Sequence, residues 1–131
     1  MREYSIAAIP ADGIGPEVIA AGIAVLESLQ KRLGDVKFNV RTFDWGSDYY
    51  RKSGAMMPAD GLATLKGFDA IYFGAVGAPD VPDHITLWGL RLPICQGFDQ
   101  YANVRPTRIL PGISSPLRNV GPGDLDWVIV R

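Results

Sequence analysis

The sequence is poor in the residues on which several common kinds of functional site depend. It contains one cysteine, Cys95, and one histidine, His84. A single cysteine cannot form an intrachain disulfide, which fits a reducing compartment and predicts a cytoplasmic protein. A single histidine gives little support to a Ser-His-Asp triad or a histidine-rich metal site. Candidate chemistry must therefore be sought in the loops and among the arginines.

The sequence also lacks an excess of charge and any long apolar run. Its 13 Lys and Arg residues face 14 Asp and Glu residues, for a net charge of −1. This balance indicates neither a nucleic-acid partner nor an anionic membrane surface. No apolar run approaches the ~20 residues of a membrane helix, and no signal-peptide core follows Met1. With 47% hydrophobic and 21% charged residues, the composition is typical of a globular domain.

Apolar periodicity predicts the α/β class. The apolar run Ser5–Ile9 predicts a buried strand, and a helix follows with Pro16 in its first turn and Gly34 as its C-terminal cap. Alternation of strands and helical segments implies parallel pairing with right-handed crossovers. The further predicted strands are 37–43, 70–73, 101–109 and 126–131, and the further helical segments are 48–52, 59–66 and 86–98, with a kink expected at Pro93.

Two loops follow predicted strands. The loop Asp12–Glu17 leads into a helix, so its backbone amides could bind an anion, although it has neither a G-x-G-x-x-G pattern nor a P-loop lysine. The glycine-rich loop Gly74–Pro79 follows the carboxyl end of a predicted parallel strand, where α/β sheets usually bind ligands. Its glycines would let a cofactor approach the backbone. For both loops, a tight turn without a ligand is the alternative.

Three arginines end or adjoin apolar segments: Arg91, Arg105 and Arg131. A guanidinium in such a position is costly to desolvate unless it meets an anion. Its planar fork suits carboxylates, since it can donate two parallel hydrogen bonds. Together the three could clamp a dicarboxylate, and three unrelated surface arginines are the alternative. The loop aspartates have no recognisable metal-ligand spacing: Asp44, Asp48, Asp80 and Asp83.

Four motifs, in order along the chain, resemble the isopropylmalate/isocitrate dehydrogenase family of β-decarboxylating dehydrogenases. Ala7–Glu17 is similar to the family's opening, except that Ala11 stands where the family usually has glycine. Gly74–Gly77 looks like the cofactor-side loop, and Tyr101–Pro106 like the family's A-N-x-R-P segment. Val128–Arg131 looks like the strand that carries the third substrate arginine.

The resemblance implies an isopropylmalate-dehydrogenase-like α/β fold, mostly a parallel sheet with flanking helices and unlike the Rossmann fold. In the family, two domains enclose the active site in the cleft of a homodimer. Residues 1–103 would then be the N-terminal part of the large cofactor-side domain, and residues 104–131 the start of the small dimerisation domain. Because the last predicted strand stops at Arg131, the chain is expected to be an N-terminal fragment and thus an incomplete two-domain subunit.

The implied activity is NAD-dependent and Mn²⁺- or Mg²⁺-dependent oxidation of a small 2-hydroxy dicarboxylic acid such as tartrate or D-malate, with decarboxylation for D-malate. The family's catalytic tyrosine and lysine and its metal-binding aspartates lie beyond residue 131. The fragment itself is therefore expected to be inactive, with no catalytic residue or metal ligand of its own. The alternative is a free-standing α/β module that binds an anion or nucleotide without catalysis.

The resemblance also assigns site residues. The substrate-binding set is Arg91, Arg105, Arg131, Leu87 and Trp88, and the cofactor-binding set is Gly77, Ala78, Pro79 and His84. One departure concerns the first arginine. Relatives usually place it, counted back from Arg105, at the position that Cys95 fills here, while Arg91 lies further back in an L-x-x-L-R pattern. A local insertion would reconcile the two, and Arg91 is the predicted first arginine.

Overall fold

A computed structural model describes all 131 residues, Met1–Arg131. The chain forms two compact units, Met1–Gly97 and Phe98–Arg131, each described here by itself. The predicted division into domains at residues 103 and 104 stays a prediction. No helix is long and apolar enough to cross a membrane.

The first unit is a parallel sheet with flanking helices, as predicted. Its three strands pair in the order β2-β1-β3, and both pairings are parallel. Its elements are β1 (Arg2–Ala11), α1 (Gly15–Leu33), β2 (Val36–Thr42), α2 (Ser47–Ser53), α3 (Gly61–Leu65), β3 (Ala70–Ala75), α4 (Asp83–Thr86), a π-helical turn (Leu87–Arg91) and α5 (Leu92–Gly97). The predicted loop 74–79 is therefore shorter, since Gly74 and Ala75 still belong to β3.

The core lies around the central strand. Ile6, Ala7, Ala8 and Ile9 of β1 are all buried, which is the burial expected of a strand covered on both faces. Helix α1 packs beside this strand and is capped as predicted, with Pro16 in its first turn and Gly34 in a left-handed conformation at φ 73°.

The predicted kink at Pro93 is instead a π-helical turn placed just before it. The Leu92 amide donates to the carbonyl of Leu87, five residues earlier. Proline cannot donate to the preceding turn, and its ring crowds the carbonyl there. The wider turn accommodates Pro93, and the helix continues through α5 to Gly97.

The second unit is an antiparallel hairpin with long connections. Strands β4 (Val104–Arg108) and β5 (Asp126–Val130) pair in the register Val104 to Val130 and Arg108 to Asp126. The predicted strand 101–109 is thus shorter than expected. Every residue of both strands is exposed.

Exposed carboxylates brace the sheet of the first unit from its sides. Asp69 accepts hydrogen bonds from the amide and the hydroxyl of Ser5, at 2.7 and 2.8 Å, and these bonds lower the pKa of Asp69. Glu3 accepts a bond from the side-chain amide of Asn39 at 3.0 Å and lies beside Lys37, so its pKa is lowered as well. These contacts connect β1 to the segments on both of its sides.

The lowered pKa values predict acid sensitivity. A carboxylate whose folded-state pKa is below its unfolded value, near 4, stabilises the fold above that value and loses this effect as pH falls through the folded pKa. We expect the urea midpoint to fall between about pH 5 and pH 3. In the Asp69→Asn variant the midpoint should fall less over the same range. An equal fall in both proteins would contradict a contribution from the Asp69 carboxylate.

Two glycines allow β1, β3 and the start of α1 to meet closely. A Cβ on Gly74 would lie 2.3 Å from the Pro10 carbonyl oxygen and 3.0 Å from the Cα of Gly15. A Cβ on Gly15 would lie 1.9 Å from the same oxygen. All of these neighbours are backbone atoms, so a side chain here would force strands and helix apart.

We therefore expect Gly74→Ala to lower the free energy of unfolding by about 1–3 kcal/mol, the usual range for overpacking. Gly67→Ala is the matched control, because its Cβ would find only the Thr64 carbonyl oxygen at 3.6 Å, an ordinary contact. Its effect should stay within about 0.5 kcal/mol. Urea denaturation of the two variants checks this, and equal losses of stability would show that the close approach is not the cause.

Candidate functional site

The buried carboxylate of Asp12 lies where β1 and β3 end, and it connects three segments of the first unit. Its Oδ1 accepts the amide of Ser47 at 2.7 Å. Its Oδ2 accepts the Ser47 hydroxyl at 2.7 Å and the amide of Gly77 at 2.9 Å. Asp12 is only 9% exposed. Three donors thus satisfy a charge that would otherwise be expensive to bury.

The backbone of the Asp12 loop is committed as well. The Asp12 amide donates to the carbonyl of Ala75 at 2.6 Å, and the Asp12 carbonyl accepts the amide of Gly15 at 2.8 Å. Of the two roles that the sequence left open for this loop, these contacts favour the structural turn over an anion site. The loop joins β1, α1, α2 and the end of β3 into one junction.

The predicted cofactor loop leaves β3 at this junction and turns back at once. Gly77 has φ 136°, a backbone conformation that favours glycine, and a Cβ placed there would meet no atom within 4 Å. The following residues form a tight turn in which the Val81 amide donates to the Ala78 carbonyl at 3.1 Å. Because Asp12 occupies the Gly77 amide, the loop presents its open face, and not that donor, to a ligand.

A second contact holds the same loop from outside. Arg51 of α2 donates to Asp80 through Nε at 3.0 Å and through Nη2 at 2.6 Å, the parallel geometry typical of an arginine and a carboxylate. Arg51 also binds Asp48 in its own helix. The guanidinium lowers the pKa of Asp80, and the paired carboxylates raise the pKa of Arg51. Asp48 and Asp80 therefore serve as partners of an arginine.

His84 and Trp88 lie on one side of the helix that follows this loop. Both are exposed, Trp88 to 63%, and both line a depression of about 540 Å³. Its opposite wall is formed by α2, α3 and the segment between them: Tyr50, Gly54, Ala55, Met56, Met57, Pro58, Ala59 and Leu62. The structure thus brings together one residue from each predicted set, whereas Leu87 and the loop Gly77–Pro79 do not line this depression.

Arg91 differs from every other lysine and arginine of the chain. It is half-buried, whereas all the others are exposed. No carboxylate lies within 4.0 Å of its guanidinium, since the ion pairs of the structure involve Arg2, Lys37 and Arg51. It closes the π-helical turn Leu87–Arg91, which holds all three predicted substrate residues of this unit. The half-buried Cys95 lies about one helical turn further on.

In the second unit, the register places Arg105 and Arg131 on one face of the hairpin. Arg105 pairs with Ile129, and Arg131 exchanges backbone hydrogen bonds with Asn103, both at 2.9 Å. Residues two apart on a strand share a face with those opposite them, so the two arginines are diagonal neighbours. Between them, Asn103 accepts a hydrogen bond from Nε of Arg105 at 2.9 Å. Neither arginine has a carboxylate partner.

The three arginines thus lie in two units, and their convergence on one diacid stays a prediction. No group of three His, Cys, Asp or Glu side chains that could hold a metal is present. Sequence reasoning missed the parts played by Asp12, Ser47 and Arg51. One signal was available: an aspartate between a buried strand and a helix, flanked by glycine, is expected to bind backbone amides.

Comparisons with known proteins agree with this architecture. Residues 5–131 match the isocitrate/isopropylmalate dehydrogenase family. The chain is 82% identical over its whole length to a probable tartrate dehydrogenase/decarboxylase of Agrobacterium vitis, of which it covers 37%. It is 50% identical to the D-malate dehydrogenase [decarboxylating] of Escherichia coli K12, covering 100% of this chain and 37% of that protein.

The structural comparison leads to the same family. A β-decarboxylating dehydrogenase of Thermococcus kodakarensis superposes with a TM-score of 0.66 at 30% identity, covering 98% of this chain and 33% of that one. The chain therefore spans about 37% of the length of the curated relatives and 33% of this solved neighbour. With a family match that extends over nearly all its residues, the chain belongs to the isocitrate/isopropylmalate dehydrogenase family.

Proposed function

We propose that this chain supplies the cofactor loop and the substrate arginines of an NAD-dependent oxidoreductase that acts on a small 2-hydroxy dicarboxylic acid. The names of its relatives favour tartrate or D-malate as the substrate, with decarboxylation in the case of D-malate. Because the chain covers about 37% of those relatives, the activity is proposed for a polypeptide of their length. The 131 residues alone are expected to have no turnover, and the working enzyme to be a cytoplasmic homodimer.

The observation that carries the proposal is the state of Arg91. A half-buried cation without a carboxylate partner has lost part of its hydration and gained no compensating charge. An anionic ligand would supply that charge, and a carboxylate would match the guanidinium fork. Leu87 and Trp88, in the same π-helical turn, would contact the carbon skeleton of the substrate.

Arg105 and Arg131 extend the same argument to a second carboxylate. Two cations that are diagonal neighbours on one face of a hairpin repel each other unless an anion lies between them. The bond that Nε of Arg105 donates to the Asn103 side-chain oxygen fixes the direction of Arg105 and leaves its terminal nitrogens free to bind. A carboxylate held by these arginines would help to direct the C2–H bond of the hydroxy acid.

The loop after β3 fits a dinucleotide. The backbone of Gly77 is exposed, and the space beside it holds no atom within 4 Å of a Cβ position. A cofactor could therefore lie directly against Gly77, Ala78 and Pro79, with His84 at the start of the next helix. NAD bound there would accept the hydride that leaves C2 as the alcohol becomes a ketone.

The divalent cation of the family, Mn²⁺ or Mg²⁺, would be bound by aspartates beyond residue 131. The residues of this chain bind and orient the hydroxy acid and the dinucleotide. The acid/base groups that the resemblance predicts would come from the remainder of the subunit.

The proposal is tested in a chain of full length, made by replacing the matching segment of the Agrobacterium vitis relative with residues 1–131. We expect NADH to form from tartrate or D-malate in the presence of Mn²⁺. Arg91→Lys, Arg105→Lys and Arg131→Lys should each lower kcat/KM for the hydroxy acid about 10- to 100-fold, because lysine keeps the charge and loses the two parallel bonds.

Arg108→Lys is the matched control. Arg108 lies on the same strand as Arg105 but on the opposite face of the hairpin. Its substitution should change kcat/KM less than about twofold, within the scatter of an exposed replacement. Equal losses in all four variants, or no loss in any of them, would contradict the assignment of the arginines. Absence of turnover in the full-length chain without any arginine substitution, with nucleotide binding retained, would favour a non-catalytic binding module.

A further inference from the structure

The structure assigns Asp12 and Arg51 as positioning residues that hold the loop Val76–Asp80 in the shape required for the dinucleotide. This inference rests on the proposed function, because it needs a cofactor at that loop. Neither side chain is expected to touch the cofactor. Each acts through one end of the loop: Asp12 through the amide of Gly77, and Arg51 through the carboxylate of Asp80.

The two anchors belong to one support. Ser47, which donates twice to Asp12, begins α2, and Arg51 lies one turn later in the same helix. Helix α2 therefore connects to both ends of the loop, to one end through Asp12 and to the other directly. Ala78 and Pro79 lie between the two anchors, and with the open face of Gly77 they are the residues of this loop predicted to contact NAD. A loop fixed at both ends loses less conformational entropy when a ligand binds.

The chemistry at Asp12 suggests a substitution that removes one anchor alone. Oδ2 accepts from both the Ser47 hydroxyl and the Gly77 amide, while Oδ1 accepts from the Ser47 amide. In Asp12→Asn, the amide oxygen can keep the Oδ1 position. The new NH₂ group can donate to the Ser47 hydroxyl oxygen, which accepts as well as donates. In this orientation it cannot accept from Gly77, so two donors face each other and the Gly77 contact is lost. In the reversed orientation, the Ser47 amide is the donor left without an acceptor.

Ser47→Ala is the matched control. It removes the hydroxyl bond to Asp12 and leaves the Gly77 amide bonded to Oδ2. A role limited to folding would make the two variants similar, since each removes one hydrogen bond from the same buried carboxylate. A positioning role separates them, because only Asp12→Asn releases the loop.

In the full-length chain, we expect Asp12→Asn to raise KM for NAD about tenfold, as for the loss of one hydrogen bond to a charged acceptor. KM for the hydroxy acid should change less than about twofold, and Ser47→Ala should leave KM for NAD unchanged. Arg51→Gln, an exposed substitution that the fold should tolerate, should raise KM for NAD by about two- to fourfold. It keeps the inference testable if Asp12→Asn fails to fold. Equal effects on both substrates, or no effect of Arg51→Gln, would overturn it.

Amide hydrogen exchange separates this inference from the proposed function. In the 131-residue chain, exchange at Gly77 should speed up in Asp12→Asn and stay unchanged in Ser47→Ala, with no ligand needed. Unchanged exchange at both Gly77 and Ser47 in Asp12→Asn would show that Asp12 does not hold the loop, even if the enzyme proves to use NAD. If exchange at Gly77 is faster in Asp12→Asn but the full-length enzyme reduces no NAD, Asp12 still holds the loop. Its role toward the cofactor and the proposed function are then both overturned.

Discussion

The first unit depends on a buried negative charge that has no cation beside it. The carboxylate of Asp12 is balanced by two backbone amides and one hydroxyl, which come from the start of α2 and from the loop after β3. These directed donors offset the cost of burying the charge, because a buried acceptor that loses its partners bears the full cost of desolvation. The geometry of the loop and the stability of the sheet therefore depend on the same hydrogen bonds. The loop Val76–Asp80 is held by the same contacts, through Gly77 at one end and Asp80 at the other.

Local signals explain most of what could be predicted from the sequence. Strand β1 and helix α1 were predicted because their apolar spacing, Pro16 and Gly34 act within a few residues of one another. The end of β3 was misplaced because Gly74 looks like a loop residue in isolation. Its lack of a side chain instead serves the close approach to Pro10 and Gly15, which are distant in sequence. The bond between Asp12 and Gly77 spans 65 positions and leaves no periodic trace.

Ala11 shows how a departure from a family pattern acquires a physical meaning. The sequence has alanine at position 11, where the family usually has glycine. In the structure Ala11 has φ 57°, in the left-handed region. Such a conformation costs about 1 kcal/mol for alanine. Ala11 is held there because its neighbour Asp12 is bonded on both its backbone and its side chain. The same junction that orders the loop thus tolerates a strained residue beside it.

The predicted site residues of the two units differ in their surroundings. The first offers a loop anchored at both ends and one half-buried cation, Arg91, so its contribution is largely a fixed shape. The second offers two exposed cations on a hairpin that is exposed on both faces, so its contribution is largely charge. An exposed guanidinium binds an anion weakly in water, because the pair is screened and both groups remain hydrated. Tight binding of an anion by Arg105 and Arg131 would therefore require that they lose water when the anion is held. The half-buried Arg91 has already lost part of its hydration, so an anion that binds it would meet a smaller cost of desolvation.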